Sequence, residues 1–248
     1  MFKKGGGTVM AMRPIDIARR LKVSTTTLRH YEDFGMIPNV MRSPNGYRIY
    51  TSEQIAYFLC IREMMHGFTL SEIAKMLKPI MAKQTDDALW MANKAQSALQ
   101  NDKYVCDQIK QRFLVKNRIA TPKEFSIDAI SKATGIIPST IRYWDKIGLI
   151  SASRCEANNY RTFTQMHIDE ILIIQALKLS MRARGEKYAV EQIRKEMHKF
   201  NFDDTEKISA IVASINCHLT ALNKAQIHSI SALYNLCNQV EQNQYDTW

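Results

Sequence analysis

The sequence predicts a mainly α protein built from two copies of one small module, each with a short β-hairpin and each followed by a long coiled-coil-type helix. Three observations predict it. The stretch LRHYEDFGMIPNVMRSPNGYRIYT from Leu28 returns without a gap 113 residues later as IRYWDKIGLISASRCEANNYRTFT from Ile141, which marks an internal repeat. Within each copy, apolar residues at helical spacing are punctuated by single glycines and an Asn-rich tip. Beyond each copy runs a long apolar stripe, again at helical spacing.

In copy one, Ile15, Ala18 and Leu21 share a face of a short helix, and Lys22-Val23 makes a tight turn. Ser24 suits the N-cap of the next helix, since its hydroxyl can accept a bond from an unpaired first-turn N–H. In copy two the first helix runs from about Ile127, Gly135 occupies the turn, and Pro138 takes the place of Thr25. Proline fits there because the first helical N–H has no partner in any case. Gly35 and Gly148 are placed to close the second helices in the left-handed conformation. Asn45-Gly46 and Asn158-Asn159 suit a hairpin tip, and Tyr-Arg and an aromatic, Tyr50 or Phe163, follow each.

Thr51 and Thr164 then stand as caps before a third helix, in which Ile55, Phe58, Leu59 and Ile61 match Ile168, Ile171, Leu172 and Ile174 as a buried stripe. A fourth, short helix carries Leu70, Ile73 and Leu77, matched by Val190, Ile193 and Met197. Between the third and fourth helices copy two has a seven-residue insertion, around Met181 to Tyr188. Its Arg182, Arg184 and Lys187 offer a further phosphate contact. The long segments are bounded by Pro79 and Pro122 in the first case and opened by Asp203-Asp204-Thr205 in the second. The first carries Ala88, Ala92, Ala95, Leu99, Cys106, Ile109 and Phe113; the second carries Ile208, Val212, Ile215, Leu219, Leu222, Ile230, Leu233, Cys237 and Val240. The expected division is a flexible N-terminus (1–11), a first module (12–78), a first long helix and linker (79–122), a second module (123–200) and a second long helix (201–248).

With 248 residues and 46% apolar content the chain can bury two small cores. Its net charge of +10 favours a polyanionic partner, although excess charge also serves solubility. The four segment charges locate the excess: residues 1–78 carry +6, 79–122 carry +3, 123–200 carry +4 and 201–248 carry −3. The five cysteines (Cys60, Cys106, Cys155, Cys217, Cys237) are odd in number and lack CxxC spacing, so reduced thiols and no zinc ribbon are expected. No stretch has signal-peptide or membrane-span character, and the expectation is a soluble cytoplasmic protein. A phosphate-binding glycine loop, a nucleophile elbow and a convincing metal-ligand set are absent, so neither catalysis nor a cofactor is expected.

The succession of helix-turn-helix, Leu28-Arg29-His30-Tyr31, Asn45-Gly46-Tyr47-Arg48, a helix pair and a long helix resembles MerR-family transcription regulators. The resemblance covers roughly residues 12 to 118 and 124 to 245, and copy two is the more divergent. It implies two winged helix-turn-helix domains, each with a recognition helix in the major groove of double-stranded DNA and a wing on the flanking backbone. The implied contacts in copy one are Ser24, Thr25, Thr26, Thr27, Arg29, His30, Tyr31, Arg42, Tyr47 and Arg48. In copy two they are Ser139, Thr140, Arg142, Tyr143, Trp144, Arg154, Tyr160 and Arg161, with Cys155 in place of Arg42 and Arg154 beside it. Physics supports part of this independently: a helix N-terminus rich in hydroxyls favours phosphate or base-edge contact. For Arg29 the alternative is a structural salt bridge, and for Tyr31 it is packing alone.

The recognition helices differ, TTTLRHY against PSTIRYW, so the operator should be asymmetric. Members of the family are homodimers joined by antiparallel long helices. Here a short connection, about Asn117 to Lys123, favours one chain folding as its own dimer, with a true homodimer as the alternative. The resemblance also implies a promoter bent and untwisted for RNA polymerase. Two further readings stay open: an architectural or recombination accessory protein that bends DNA, and a ligand-responsive regulator with an effector pocket between the long helices near Trp90, Met91, Tyr104 and Phe113. Family sensors with cysteine clusters have no counterpart: Cys217-His218 with Cys237 is a poor metal set, and no sensor segment is expected beyond the second long helix.

Overall fold

A computed structural model describes residues 12–114, 124–150, 152–154, 160–187 and 189–246. The expectations for the 1–11 segment, the Asn117 to Lys123 connection with Pro122, Cys155, the Asn158-Asn159 tip and Tyr188 lie outside these residues. The described chain is mainly helical, with two small antiparallel hairpins, as the sequence predicts.

The first module comprises α1 (Pro14–Leu21), α2 (Thr25–Asp33), β1 (Met41–Arg42), β2 (Arg48–Ile49), α3 (Ser52–Met64) and α4 (Leu70–Met81), and α5 (Thr85–Leu114) follows. The second comprises α6 (Ile127–Thr134), α7 (Pro138–Lys146), β3 (Ser153–Arg154), β4 (Arg161–Thr162), α8 (Gln165–Ala183) and α9 (Val190–His198), and α10 (Thr205–Gln242) follows.

Local chemistry sets the element ends. Ser24 Oγ accepts from the Thr27 N–H at 3.0 Å, a cap worth about 1 kcal/mol. Pro138 opens α7. Gly35 and Gly148 sit at φ of 64° and 69° just past α2 and α7, where a Cβ would clash with the following carbonyl. At the starts of α3 and α8 the Thr51 N–H donates to Gln54 Oε1 (2.7 Å) and the Thr164 N–H to His167 Nδ1 (2.9 Å), at matching positions. Asp204 Oδ1 accepts from the Lys207 N–H and begins α10.

Pro79 departs from the expectation. It lies inside α4 rather than at a boundary. The ring removes the bond to the Lys75 carbonyl one turn back, and the buried Met76, Leu77 and Ile80 hold the helix against the core in spite of it. Lys83, at φ 60°, makes the break before α5. In copy two the insertion lengthens the third helix: α8 has 19 residues where α3 has 13.

The chain divides into two compact units. One holds the residues up to Ser97 with those from Leu222 onward; the other holds Ala98 to Ala221. Each long helix therefore contributes its first half to one unit and its second half to the other. The first unit's core joins Ile17, Leu28, Tyr50, Phe58, Ile61 and Ile73 to Ala88 and Ala92 of α5 and Leu233, Leu236, Cys237 and Val240 of α10. Here α5 and α10 run antiparallel: Thr85 Oγ1 donates to Glu241 Oε1 (2.5 Å) and Gln96 Nε2 to Gln226 Oε1 (2.7 Å). In the second unit Leu99, Cys106, Ile109, Ile208, Val212, Ile215 and Leu219 are buried, and the Cys106 thiol points at the Val212 carbonyl. The two stripes share one rhythm, Ala88, Ala92, Ala95, Leu99 against Ile208, Val212, Ile215, Leu219, which aligns the helices residue by residue.

Burial explains the thiols. Cys60, Cys106 and Cys237 are buried, and burial raises the Cys237 thiol to about 11, which keeps it protonated and a poor metal ligand at neutral pH. Cys217 is exposed. No helix among the described residues is long and apolar enough to cross a membrane.

Candidate nucleic-acid interface

In the first unit the start of α2 and the hairpin meet around one recess. Pro14, Thr25, Arg29, Gly46, Tyr47, Arg48 and Tyr50 line a cavity of about 250 Å³. The hairpin pairs Met41 with Ile49 and Arg42 with Arg48. Its tip turns at Gly46, whose φ of 79° suits only a residue without a Cβ. Arg42 donates to the Gly46 carbonyl at 3.3 Å, so its guanidinium braces the tip from which Tyr47 projects, 74% exposed. Arg29 and His30 are exposed on α2, as is Thr26, while Thr25 and Thr27 are half-buried and Ser24 is engaged with Thr27.

An ion pair fixes the wing to the helix, and it occurs twice. Arg48 Nε donates to Glu32 Oε2 at 2.6 Å; at the matching positions Arg161 Nε donates to Asp145 Oδ2 at 2.5 Å. All four side chains are less than one third exposed. The bond to Glu32 raises the Arg48 guanidinium above its ordinary value. Each arginine thus orients the hairpin relative to the helix beside it, and its charge is already compensated by a carboxylate. Arg29 and Arg142, by contrast, are exposed and make no ion pair among the described residues.

Two residues expected at the interface face inward. Tyr31 is 3% and Trp144 1% exposed, because they follow Leu28 and Ile141 by three residues on the buried face of their helices. The Tyr31 hydroxyl donates to Met65 Sδ at 3.3 Å. At the same place in the second unit Lys178 Nζ lies 5.1 Å from the centre of the Trp144 ring. Burial lowers the Lys178 ammonium. These aromatics position the recognition helices and have no surface left for a duplex.

In the second unit Ser139, Arg142 and Tyr143 are exposed and Thr140 is half-buried on α7, and Tyr160 is 73% exposed beside β4. Arg154 lies on β3, paired in register with Arg161. Arg182 pairs with Asp102 (2.7 Å) and Arg184 with Glu186 (2.7 Å), so the insertion's arginines are compensated, whereas Lys187 is exposed. Of the residues expected to form an effector pocket, Trp90 and Met91 fall in the first unit and Tyr104 and Phe113 in the second. Trp90 is 69% exposed and Phe113 buried.

Sequence reasoning missed two features of this region. Glu32 and Asp145 hold the wing arginines, and an acid sixteen residues before an arginine in both copies is the signal that could have found them. The Tyr50 hydroxyl, buried at the recess, meets no hydrogen-bond partner among the described residues, and burial raises it above the ordinary phenol range. Phe163, without a hydroxyl, occupies the matching position in the second unit.

Paired short helices, a hairpin tied to the second of them and a buried third helix behind, present twice, define a protein with two winged helix-turn-helix modules. The model of the MerR HTH family of regulatory proteins matches residues 12–79 and 125–199, together more than half of the chain, and the chain belongs to that family. It is similar to the mercuric resistance operon regulatory protein of Bacillus cereus, 38% identical over 69 residues, which are 27% of this chain and 52% of that protein. It is also similar to the HTH-type transcriptional regulator CueR of Escherichia coli O157:H7, 28% identical over 120 residues, 45% of this chain and 82% of that protein. An uncharacterized HTH-type regulator, YyaN of Bacillus subtilis, is 32% identical over 62 residues, 25% of this chain and 45% of that protein. The chain thus spans about half the length of two of these relatives. No solved structure gives a significant match.

Proposed function

We propose that this chain is a sequence-specific double-stranded DNA-binding transcription regulator that reads two different half-sites with its two modules. The observation that carries the reading is the recess of the first module, lined by the exposed Arg29 of the second helix and the exposed wing tyrosine Tyr47; Arg142 and Tyr160 are exposed at the matching positions of the second module. A phosphate backbone uses both an exposed cation and an exposed phenol, the one by charge and the other by its hydroxyl. The net charge of +10 supports it. Thr25 and His30 stand where the second module has Pro138 and Tyr143, which gives the two modules different chemistry toward base edges, so an asymmetric operator follows. Arg42 and Arg154 belong to the wings, and Arg48 and Arg161 act by holding the wings in place.

The division of both long helices between the units supports a chain that acts as its own dimer. Deformation of the DNA between the half-sites, presenting a promoter to RNA polymerase, belongs to the same reading. Footprinting combined with light scattering of the complex tests it: one chain on one asymmetric site is expected, and two chains on a symmetric site would overturn the dimer-in-one-chain reading. Arg29→Ala and Arg142→Ala should each flatten the salt dependence of binding by about one ion. An unchanged slope in both would overturn their role.

A further inference from the structure

Outside the interface, one cluster of ligating side chains is built into the first unit. Glu63 lies in the last turn of α3, His66 in the turn that follows, and His228 on α10. Glu63 Oε2 and His228 Nε2 are 2.6 Å apart, and the rings of His66 and His228 meet edge to face at 5.7 Å. One ligand atom from each of the three lies within 4.8 Å of the others. We propose that Glu63, His66 and His228 bind one divalent transition ion of the zinc, cobalt and nickel class, clamping the third helix of the first module to α10.

The backbones under these side chains are held, while the side chains are free to adjust. Ser229 Oγ donates to the carbonyls of Glu63 and Met64, both at 3.2 Å, fixing the end of α3 beside α10. Gly67 brings the turn so close that a Cβ there would stand 2.7 Å from the Gln226 backbone. All three ligating residues are exposed, so rotation about their side-chain bonds can draw the ligand atoms to the separation of about 3.3 Å that bonds of about 2.1 Å require. Two imidazoles and a carboxylate suit a borderline ion: sulfur is missing for the soft metals, and nitrogen donors disfavour magnesium and calcium. A surface Glu–His pair alone contributes little and gives no reason for a second imidazole at the same point. The second unit has Ala176, Leu179 and Gln108 at the matching positions, so the site occurs once among the described residues.

The test titrates the metal-free full-length chain with zinc by calorimetry and with cobalt by visible absorption, and follows the unfolding midpoint with and without zinc. The expected results are one ion per chain, the visible bands of histidine-bound cobalt and a raised midpoint. His66→Ala and His228→Ala, with circular dichroism to verify folding, should each weaken binding by at least about tenfold, since loss of a mere outer-shell partner costs that much. Glu63→Gln should weaken it too. The Cys217→Ser/His218→Ala double variant, which removes the exposed thiol and the half-buried imidazole next to it in sequence, should bind as the parent does. Absence of saturable micromolar binding, binding indifferent to His66→Ala, or binding abolished in the Cys217→Ser/His218→Ala variant would each overturn the site.

Discussion

The two units solve the same packing problem with different chemistry. In the second, the third helix of the module is joined to a long helix by an ion pair, Arg112 Nε to Asp169 Oδ1 at 2.6 Å, with side chains 16% and 14% exposed. In the first, Ala56 and Ala232 stand at the matching positions and line a largely apolar cavity of about 280 Å³. A few residues further along, Ser229 with its carbonyl acceptors and Gln226 with Gln96 supply the polar grip where the second unit has Ile109 and Cys106. Beneath the recognition helices the exchange recurs: a tyrosine on a thioether in one, a tryptophan under an ammonium in the other. What the repeat preserves is the geometry of burial and the wing-to-helix pair; the polar chemistry between helices is free to diverge, because each local set need only satisfy itself.

Four substitutions break or sharpen this contrast, in falling order of effect. Trp144→Ala removes the largest fully buried side chain and should cost about 3 to 5 kcal/mol in denaturant unfolding, more than Tyr31→Ala, which empties a smaller volume. Asp169→Ala strands Arg112 in a partly buried position and should cost about 3 kcal/mol, whereas Asp169→Ala with Arg112→Ala, which installs the first unit's alanines, should recover a good part of the loss in a double-mutant cycle. Gly67→Ser places the second unit's Ser180 where the α10 backbone already fills the space and should cost about 1 to 3 kcal/mol; Gly67→Ala should do nearly the same, because the first carbon makes the clash. Tyr50→Phe, which imports the residue at Phe163, removes an unsatisfied hydroxyl and should shift stability by less than about 1 kcal/mol, in the stabilising direction. If that last variant instead weakens DNA binding while leaving stability intact, the hydroxyl serves the recess, and the two modules differ in how they hold a backbone.

Much of the module was legible because its signals are local. Ser24, Pro138, Gly35, Gly148 and Gly46 each act within a few residues, through a cap or a positive φ, and the sequence carries that requirement openly. The inward turn of Tyr31 and Trp144 was equally legible: both lie three residues after a buried aliphatic, and packing alone is one of the two readings open for Tyr31. Pro79 stands inside a helix because the burial of its neighbours Met76, Leu77 and Ile80 outweighs a proline's local penalty, which sequence alone does not show. The rest was hidden by distance. Glu32 reaches Arg48 across a hairpin, Asp169 meets Arg112 from another element, and His66 and His228 come from opposite parts of the chain, so no periodicity connects them.

The interleaved make-up of the units bears on how the polypeptide is born. The core under Ile17, Leu28 and Phe58 is completed by Leu233, Leu236 and Val240, which leave the ribosome only after the whole second module. The module translated first is therefore left half-closed until the second half of α10 is made, while the later one lies wholly within the stretch from Ala98 to Ala221, which can close sooner. Contacts so remote in sequence make the N-terminal module the slow, chaperone-exposed partner, and a ribosome that stalls before Leu222 would release a reader with an open apolar flank.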